Sequence, residues 1–488
     1  MQIVIVGNGV AGMEAALVVR ARMPEAEITI VSEESEHFFS RTALMWVVCG
    51  QLDYPDIEPL ERDVYARQRF RRVRARAVGL DAEARTLKLV GDLPDLPFDS
   101  LLIACGSRPR PGPWPGSTLG GVGHFVTMQD LEWLEAELHG GPAKAGPPNS
   151  GGHLAHTTED SPYLPRTVSA VARGASSRRP CVVGGGLIGI EAVEVMHAAG
   201  LRPRFFIREE WFWPIAMDSK ESTWIAERMR EHGVDVQLEE GLECFEADDA
   251  GNVVAVKSDR GERYEVDLAV IAIGVVPNTD WLKGSAVKLD AGGGIVVDEG
   301  LESSVPGVFA AGDCASVRWF EGSRRPEQLW YTGREQGRIA GKRLMGDAAL
   351  YARGAWYNSA KLFDIEYTTV GLVNMNLEGE QNFYFEERGS VRSTNRVVVA
   401  DGRVVGFNFL GRRWDHEVLL RFIAERRSLE YTLEHLHEAA FDTEFVPALS
   451  IPPEARRAPL SGPAPSGVRE PITPPTSAAS RVASQGAR

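Results

Sequence analysis

Two glycine clusters have the residue types to hold a charged ligand by backbone alone. GNGVAG sets Gly7, Gly9 and Gly12 around Val10 and Ala11, and GGGLIG sets Gly184, Gly186 and Gly189 around Ile188. Both fit the spacing GxGxxG, in which the first glycine permits a tight turn and the second lets backbone approach a pyrophosphate. The third lets helix and strand pack closely. The free N–H groups and positive dipole end of the following helix then face the phosphates. An acid about 20 residues further on would bind a ribose hydroxyl, and Glu33 stands there after the first cluster. After the second, Arg208, Glu209 and Glu210 share the position. A glutamate suits NAD, whereas an arginine accommodates the extra phosphate of NADP. Gly189 favours NAD and Arg208 opposes it; NADH is the expectation. Glu191 reads either as a helix-surface acid or as part of the site.

The second candidate chemistry is thiol chemistry. Five cysteines, Cys49, Cys105, Cys181, Cys244 and Cys314, are spread along the chain with no CxxC or CxxxxC pair among them. Such isolated thiols fit a reducing compartment and read first as small buried hydrophobes. Cys49 follows Val47 and Val48 and precedes Gly50. Apolar surroundings raise a thiol's pKa and make it inert, so Cys49 reads as structural.

The elements that must position these residues recur. QIVIV is a short apolar strand, MEAALVVRARM carries helical spacing, and ITIVSEE is a second strand. PCVVGGGLIGIEAVEVMHAAG and RPRFFIREE repeat the pattern, so two dinucleotide-binding folds are expected in one chain. Between them, residues 139–178 are rich in Gly, Pro and small polar residues and read as a flexible insertion. From 348 to 450, runs such as EYTTVGLV and RVVVADGRVVGFNFLG read as strands, and DHEVLLRFIAERRSLEYTLEHLHEA as one amphipathic helix. A small C-terminal α+β domain is expected, followed over 451–488 by a Pro-rich disordered tail. The aromatic run WFWP at 211–214 reads as packing under the second dinucleotide fold rather than as a docking surface.

Composition narrows the function classes. A net charge of -15 argues against general affinity for nucleic acid or anionic membrane. No apolar run is long enough to span a bilayer, and the N-terminus enters a strand at once, so the expected location is the cytoplasm.

The motifs, taken in order, resemble the two-dinucleotide flavoprotein reductases, the pyridine nucleotide–disulfide oxidoreductase superfamily. LLIACGSRPRPGPWPG resembles that family's ATG segment, with Ala104, Cys105 and Gly106 in its places and cysteine for the usual threonine. AVIAIGVVPNTDWL resembles the strand closing the NAD domain, where Gly274 would let cofactor pass close to backbone. GGGIVVDEGLESSVPGVFAAGDCAS resembles the second FAD motif, with Gly312 and Asp313 in its AGD. The resemblance implies an α/β fold of two Rossmann-like three-layer domains plus the C-terminal domain. FAD would occupy a first domain split into 1–125 and 291–347, and NAD(P)H a domain at 179–290.

By the same resemblance Asp313 would bind a ribitol hydroxyl, Val78 would contact adenine through backbone, and Trp330 would lie near the isoalloxazine. SRTAL resembles the RPxLS segment of ferredoxin and rubredoxin reductases and of nitrite reductase flavoproteins, with Arg41 near the FAD pyrophosphate and Thr42 where proline is usual. Their lysine near flavin N5 has no counterpart; Met45 and Trp46 occupy that stretch. His435, His437 and Glu444 only loosely imitate the histidine–glutamate pair of the thiol enzymes.

The implied activity is an FAD-dependent NAD(P)H oxidoreductase that passes a hydride to flavin N5 and electrons on to an acceptor such as a small redox protein. A homodimer is a further expectation. Two alternatives stay open: a flavin subunit or scaffold of a larger redox complex, and a single-cysteine NADH oxidase or disulfide reductase using Cys49.

Overall fold

The computed structural model describes residues 1–139, 178–319, 322–388, 392–441 and 448–463. Its first sheet is built on Gln2–Val6, in which Ile3, Val4, Ile5 and Val6 are all buried. A strand covered on both faces needs such an unbroken apolar run. The sheet order is Val308–Ala310, Ser100–Ile103, Gln2–Val6, Glu27–Ser32, Phe70–Arg74, all pairs parallel. The strand Val308–Ala310 enters only after the second domain is complete, so the first domain is split as expected. Helix Val10–Arg22 lies against helix Trp330–Leu344. A Cβ on Gly337 would overlap the Ala11 carbonyl oxygen, so the two backbones touch only because that residue is glycine.

The second sheet repeats the plan: Asp235–Leu238, Arg204–Ile207, Pro180–Val183, Leu268–Ile271, Val122–Gly123, again parallel. Its last strand corrects one boundary. The first domain was expected to run to residue 125, yet Val122–Gly123 pairs with Ala269 and Val270 of the second sheet. Helix Met128–His139 sends Leu131, Leu134 and Leu138 into the core on one face of this sheet, and Trp114 and Leu119 pack with Phe245 in the cluster on the other. The chain crosses earlier, through a ribbon in which Ser107–Pro109 pairs antiparallel with Val275–Pro277.

The C-terminal domain is a five-stranded antiparallel sheet ordered Tyr357–Leu362, Ile365–Gly371, Arg403–Leu410, Arg392–Ala400, Gln381–Arg388. The single helix expected after it is two, His416–Ala424 and Leu429–His435. Arg426 turns left-handed (φ 54°) and Ser428 caps the second helix. The disordered tail expected from 451 does not hold over 451–463. Pro453–Arg457 is helical, Ile451 and Leu460 pack on the domain core, and Ser461 exchanges backbone hydrogen bonds with Asn382 at 3.1 and 2.8 Å. Residues 140–177 of the expected insertion and the tail beyond 463 lie outside the described residues.

This domain is joined firmly to the second. The buried Arg396 guanidinium donates to Glu221 at 3.0 and 2.9 Å, to Asn374 at 2.6 Å and to the Ala216 carbonyl at 3.1 Å. Asn408 donates to the same Glu221 carboxylate at 2.9 Å. WFWP packs here as expected, with Trp211 and Phe212 buried and Trp213 against Tyr367 at 5.4 Å.

Candidate functional site

In open α/β sheets ligands sit beyond the carboxyl ends of the strands, and both glycine clusters stand there. Gly7 has φ 119°, and a Cβ on it would overlap the Ala104 carbonyl oxygen. Gly12 packs on the Gly7 carbonyl. At Gly9, which caps helix Val10–Arg22, a Cβ would meet nothing within 4 Å. The helix therefore offers its first N–H groups, at Val10 and Ala11, without a side chain in the way.

Asp313 completes this first cleft from the return segment. Ser107 Oγ, in the ribbon that joins the two domains, donates to its Oδ2 at 2.7 Å. Burial raises the Asp313 carboxyl, opposed by that hydrogen bond and by the Arg41 charge. Gly312, at φ 77°, donates its N–H to Gln336 Oε1 at 2.8 Å. Gln336 Nε2 and Trp330 Nε1 are buried donors with no protein partner. A cradle free of Cβ atoms, unpartnered donors and a hydroxyl-accepting carboxylate fit a dinucleotide such as FAD.

Arg41 and the acids at the end of Glu27–Ser32 depart in detail from expectation. Glu34 grips Arg41 bidentately at 2.9 and 2.6 Å and accepts from Met128 N at 3.0 Å. Arg41 also donates to the Val126 carbonyl at 2.7 Å. Burial alone would raise the Glu34 carboxyl; the adjacent guanidinium outweighs it and holds the group below the usual range. Glu33, the expected ribose acid, lies 3.7 Å from Arg76 with its side chain 47% exposed. Beside it is a cleft of about 360 Å³ lined by Asn8, Ser32, Ser35, Arg72 and Arg74. Val78 falls at a shift in strand register between Ala77 and Gly79, which leaves its backbone out of regular pairing. Thr42 is exposed, its hydroxyl 3.1 Å from that of Ser40.

The second cleft repeats the cradle. Gly184 has φ 120° under the Ala272 carbonyl, Gly189 packs on Gly184 beside Ile188, and a Cβ on Gly186 would meet nothing within 4 Å. Gly274 is left-handed with open space at its Cβ position. Arg208 and Glu209, both after strand Arg204–Ile207, pair at 3.0 Å. On helix Leu187–Ala198, which follows the glycines, burial and then Glu194 push the Glu191 carboxyl up to about 8. Burial likewise takes Glu194 to about 7, although Phe363 N donates to it at 2.8 Å.

Cys49 ends helix Leu44–Val48 and packs on the second core. Burial, with Glu194 adding to it, pushes its thiol up to about 12, which leaves almost no thiolate at neutral pH. Cys105 donates to the Asn278 carbonyl at 3.2 Å beside Gly106, whose carbonyl accepts from Asn278 N. His435 stacks on Tyr431 in the C-terminal domain, and Glu444 lies outside the described residues. Glu34, Ser107 and Gln336, which the sequence did not single out, hold Arg41, Asp313 and Gly312 in place at the first cleft.

Comparison with known proteins agrees with this geometry. The family described as pyridine nucleotide-disulphide oxidoreductase matches residues 1–337. The ferredoxin reductase component of chlorobenzene dioxygenase from Cupriavidus sp. (strain PS12) is 26% identical over 435 residues, 88% of this chain and 93% of that protein. The epsilon subunit of NADH-dependent phenylglyoxylate dehydrogenase from Aromatoleum evansii is 25% identical over 428 residues, covering 87% and 92%. A NAD-dependent persulfide reductase from A. fulgidus superposes with TM-score 0.76 at 21% identity, covering 92% of this chain and 80% of that one. Among the described residues no helix is long and apolar enough to cross a membrane.

Proposed function

The chain belongs to the pyridine nucleotide-disulphide oxidoreductase family and is an FAD-dependent NAD(P)H oxidoreductase; from that footing we propose that it oxidises NADH and passes the electrons, without any thiol step, to a small electron-transfer protein. The observation that carries this reading is Cys49: it is packed, partly buried, against the second apolar core, and burial pushes its thiol up to about 12.

FAD, when bound, supplies the hydride acceptor and the store for two electrons. The residues of the first cleft have the tasks of binding and tuning. Gly9 to Gly12 present backbone N–H groups to the pyrophosphate, and Glu33 and Val78 serve the adenosine end. Asp313, held by Ser107, accepts from ribitol hydroxyls. The N-terminus of helix Trp330–Leu344 stabilises negative charge at the pyrimidine edge of the ring. Arg41 contributes its charge while Glu34 fixes its position. In the second cleft Gly184 to Gly189 hold the nicotinamide dinucleotide, and Gly274 admits it close to backbone. NADH is favoured because Glu209 both offers a carboxylate for ribose hydroxyls and neutralises Arg208, the cation a 2′-phosphate would need.

The relative from Cupriavidus supports a protein acceptor, and so does the surface beside Trp330. Trp330 meets Tyr331 at 5.4 Å and Tyr331 meets Tyr357 at 4.4 Å. A cleft of about 460 Å³ there is lined by Arg334, Arg338 and Arg353 against Glu14 and Glu335. Each of these arginines is paired, to Glu14, Glu335 and Glu327, so the face offers a polar rim around the exposed Tyr331 that a protein partner can cover. The epsilon-subunit relative favours a second reading, in which the chain is the flavin subunit of a larger complex.

Anaerobic rapid mixing tests the first reading. NADH should bleach the flavin faster than NADPH, and an oxidised iron–sulfur ferredoxin should restore the colour faster than polysulfide does. Failure of NADH to bleach it would leave the complex-subunit reading, whereas faster recovery with polysulfide would restore the thiol reading.

A further inference from the structure

Cys105 and Cys314 stand far apart in sequence but meet beneath the first cleft. Strands Ser100–Ile103 and Val308–Ala310 run parallel with Ile103 opposite Ala310, and each thiol lies just beyond its strand. Cys314 Sγ donates to the Ile103 carbonyl at 3.3 Å, two residues before Cys105. The neighbouring Cys314 helps to push the Cys105 thiol up, while each thiol donates to a backbone carbonyl of its own, Cys314 to Ile103 and Cys105 to Asn278 at 3.2 Å. Cys105 is part-exposed where its loop meets the cleft, whereas Cys314 is fully buried and adjoins Asp313. Cys49, Cys181 and Cys244 show no such partner among the described residues. An accessible thiol backed by a buried one is the arrangement of an attacked and a resolving cysteine.

We propose that Cys105 and Cys314 are a peroxide-oxidisable pair that closes to a disulfide across the floor of the cofactor cleft. In the first step the Cys105 sulfur takes one oxygen from hydrogen peroxide. The O–O bond breaks, an S–O bond forms, and the Cys105 thiol becomes a sulfenic acid with release of one water. In the second, the Cys314 sulfur attacks the Cys105 sulfur. The S–O bond breaks, the S–S bond forms, and hydroxide leaves with the Cys314 proton as a second water. Two thiols lose two electrons in total, and one peroxide becomes two waters. The bond would tie the loop Ala104–Gly106, which enters the ribbon to the second domain, to the turn that carries Asp313. Protonation of the Cys105 thiol makes the first step slow, so the pair would answer sustained peroxide rather than a brief pulse.

The test uses the full-length, FAD-loaded protein and added hydrogen peroxide, so it does not depend on which electron acceptor is correct. After peroxide treatment the protein is unfolded in an alkylating reagent, digested and analysed by mass spectrometry. The expected result is a peptide linking Cys105 to Cys314, abolished by dithiothreitol. In Cys314→Ser, checked for flavin content, Cys105 should instead accumulate as a dimedone-trappable sulfenic acid and then as sulfinic acid. Recovery of both residues as free alkylated thiols after excess peroxide would overturn the proposal. So would oxidation of wild-type Cys105 to sulfinic acid with Cys314 left reduced.

Discussion

The two glycine cradles are nearly the same object set in different surroundings. Gly7 and Gly184 share φ values of 119° and 120°, and each lies under a carbonyl of the neighbouring strand. What differs is the cover. Over the first, helix Trp330–Leu344 lies directly on helix Val10–Arg22, and Gln336 ties Gly312 down. Asp313, Ser107, Glu34 and Arg41 close the remaining sides. The second cradle has the Arg208–Glu209 pair at its rim, and among the described helices only the short Leu44–Val48 packs closely on its helix Leu187–Ala198. One loop geometry is thus set in two surroundings: an enclosed one that suits a retained cofactor, and a more open one that suits an exchanging substrate.

Matched substitutions separate the two cradles most strongly. Gly12→Val should abolish FAD retention, read as loss of flavin absorbance after gel filtration, because the new side chain would drive helix from strand. Gly189→Val should leave the protein yellow yet unreduced by NADH; equal flavin loss in both would erase the distinction. A smaller effect is expected at the rim. Removing a hydrogen-bonded carboxylate costs about 1.5–3 kcal/mol, so Glu209→Ala should raise the KM for NADH by roughly 10- to 100-fold. The released Arg208 should at the same time narrow the preference over NADPH.

The smallest effect is on stability. Glu191 titrates near 8 when folded and near the ordinary glutamate value when unfolded, so between those values the folded chain binds more protons. Stability therefore falls as pH rises through that window, by up to about 1.4 kcal/mol per unit. Glu191→Gln should flatten the decline of the thermal midpoint between about pH 5 and 8.

The glycine cradles and the split first domain were legible because each rests on local spacing that only glycine satisfies or on motifs read in order. Adjacent acids were not. Counting from the glycines reaches Glu33, but strand direction turns Glu34 inward onto Arg41. The early crossing to the second sheet was hidden because Val122–Gly123 is too short to read as a strand. Ser461 was hidden because its pairing with Asn382 is made by backbone in a stretch whose composition looks unfolded. The approach of Cys105 and Cys314 depends on two strands that flank the second domain in sequence, which no local pattern records.

The central claim is that electrons cross this protein through flavin alone. Single-turnover reduction by NADH and reoxidation by a ferredoxin, compared between the parent protein and Cys49→Ser, test it most directly. The account predicts the same two rates in both proteins. A fall of tenfold or more in the reoxidation rate of Cys49→Ser, with its flavin content intact, would contradict it.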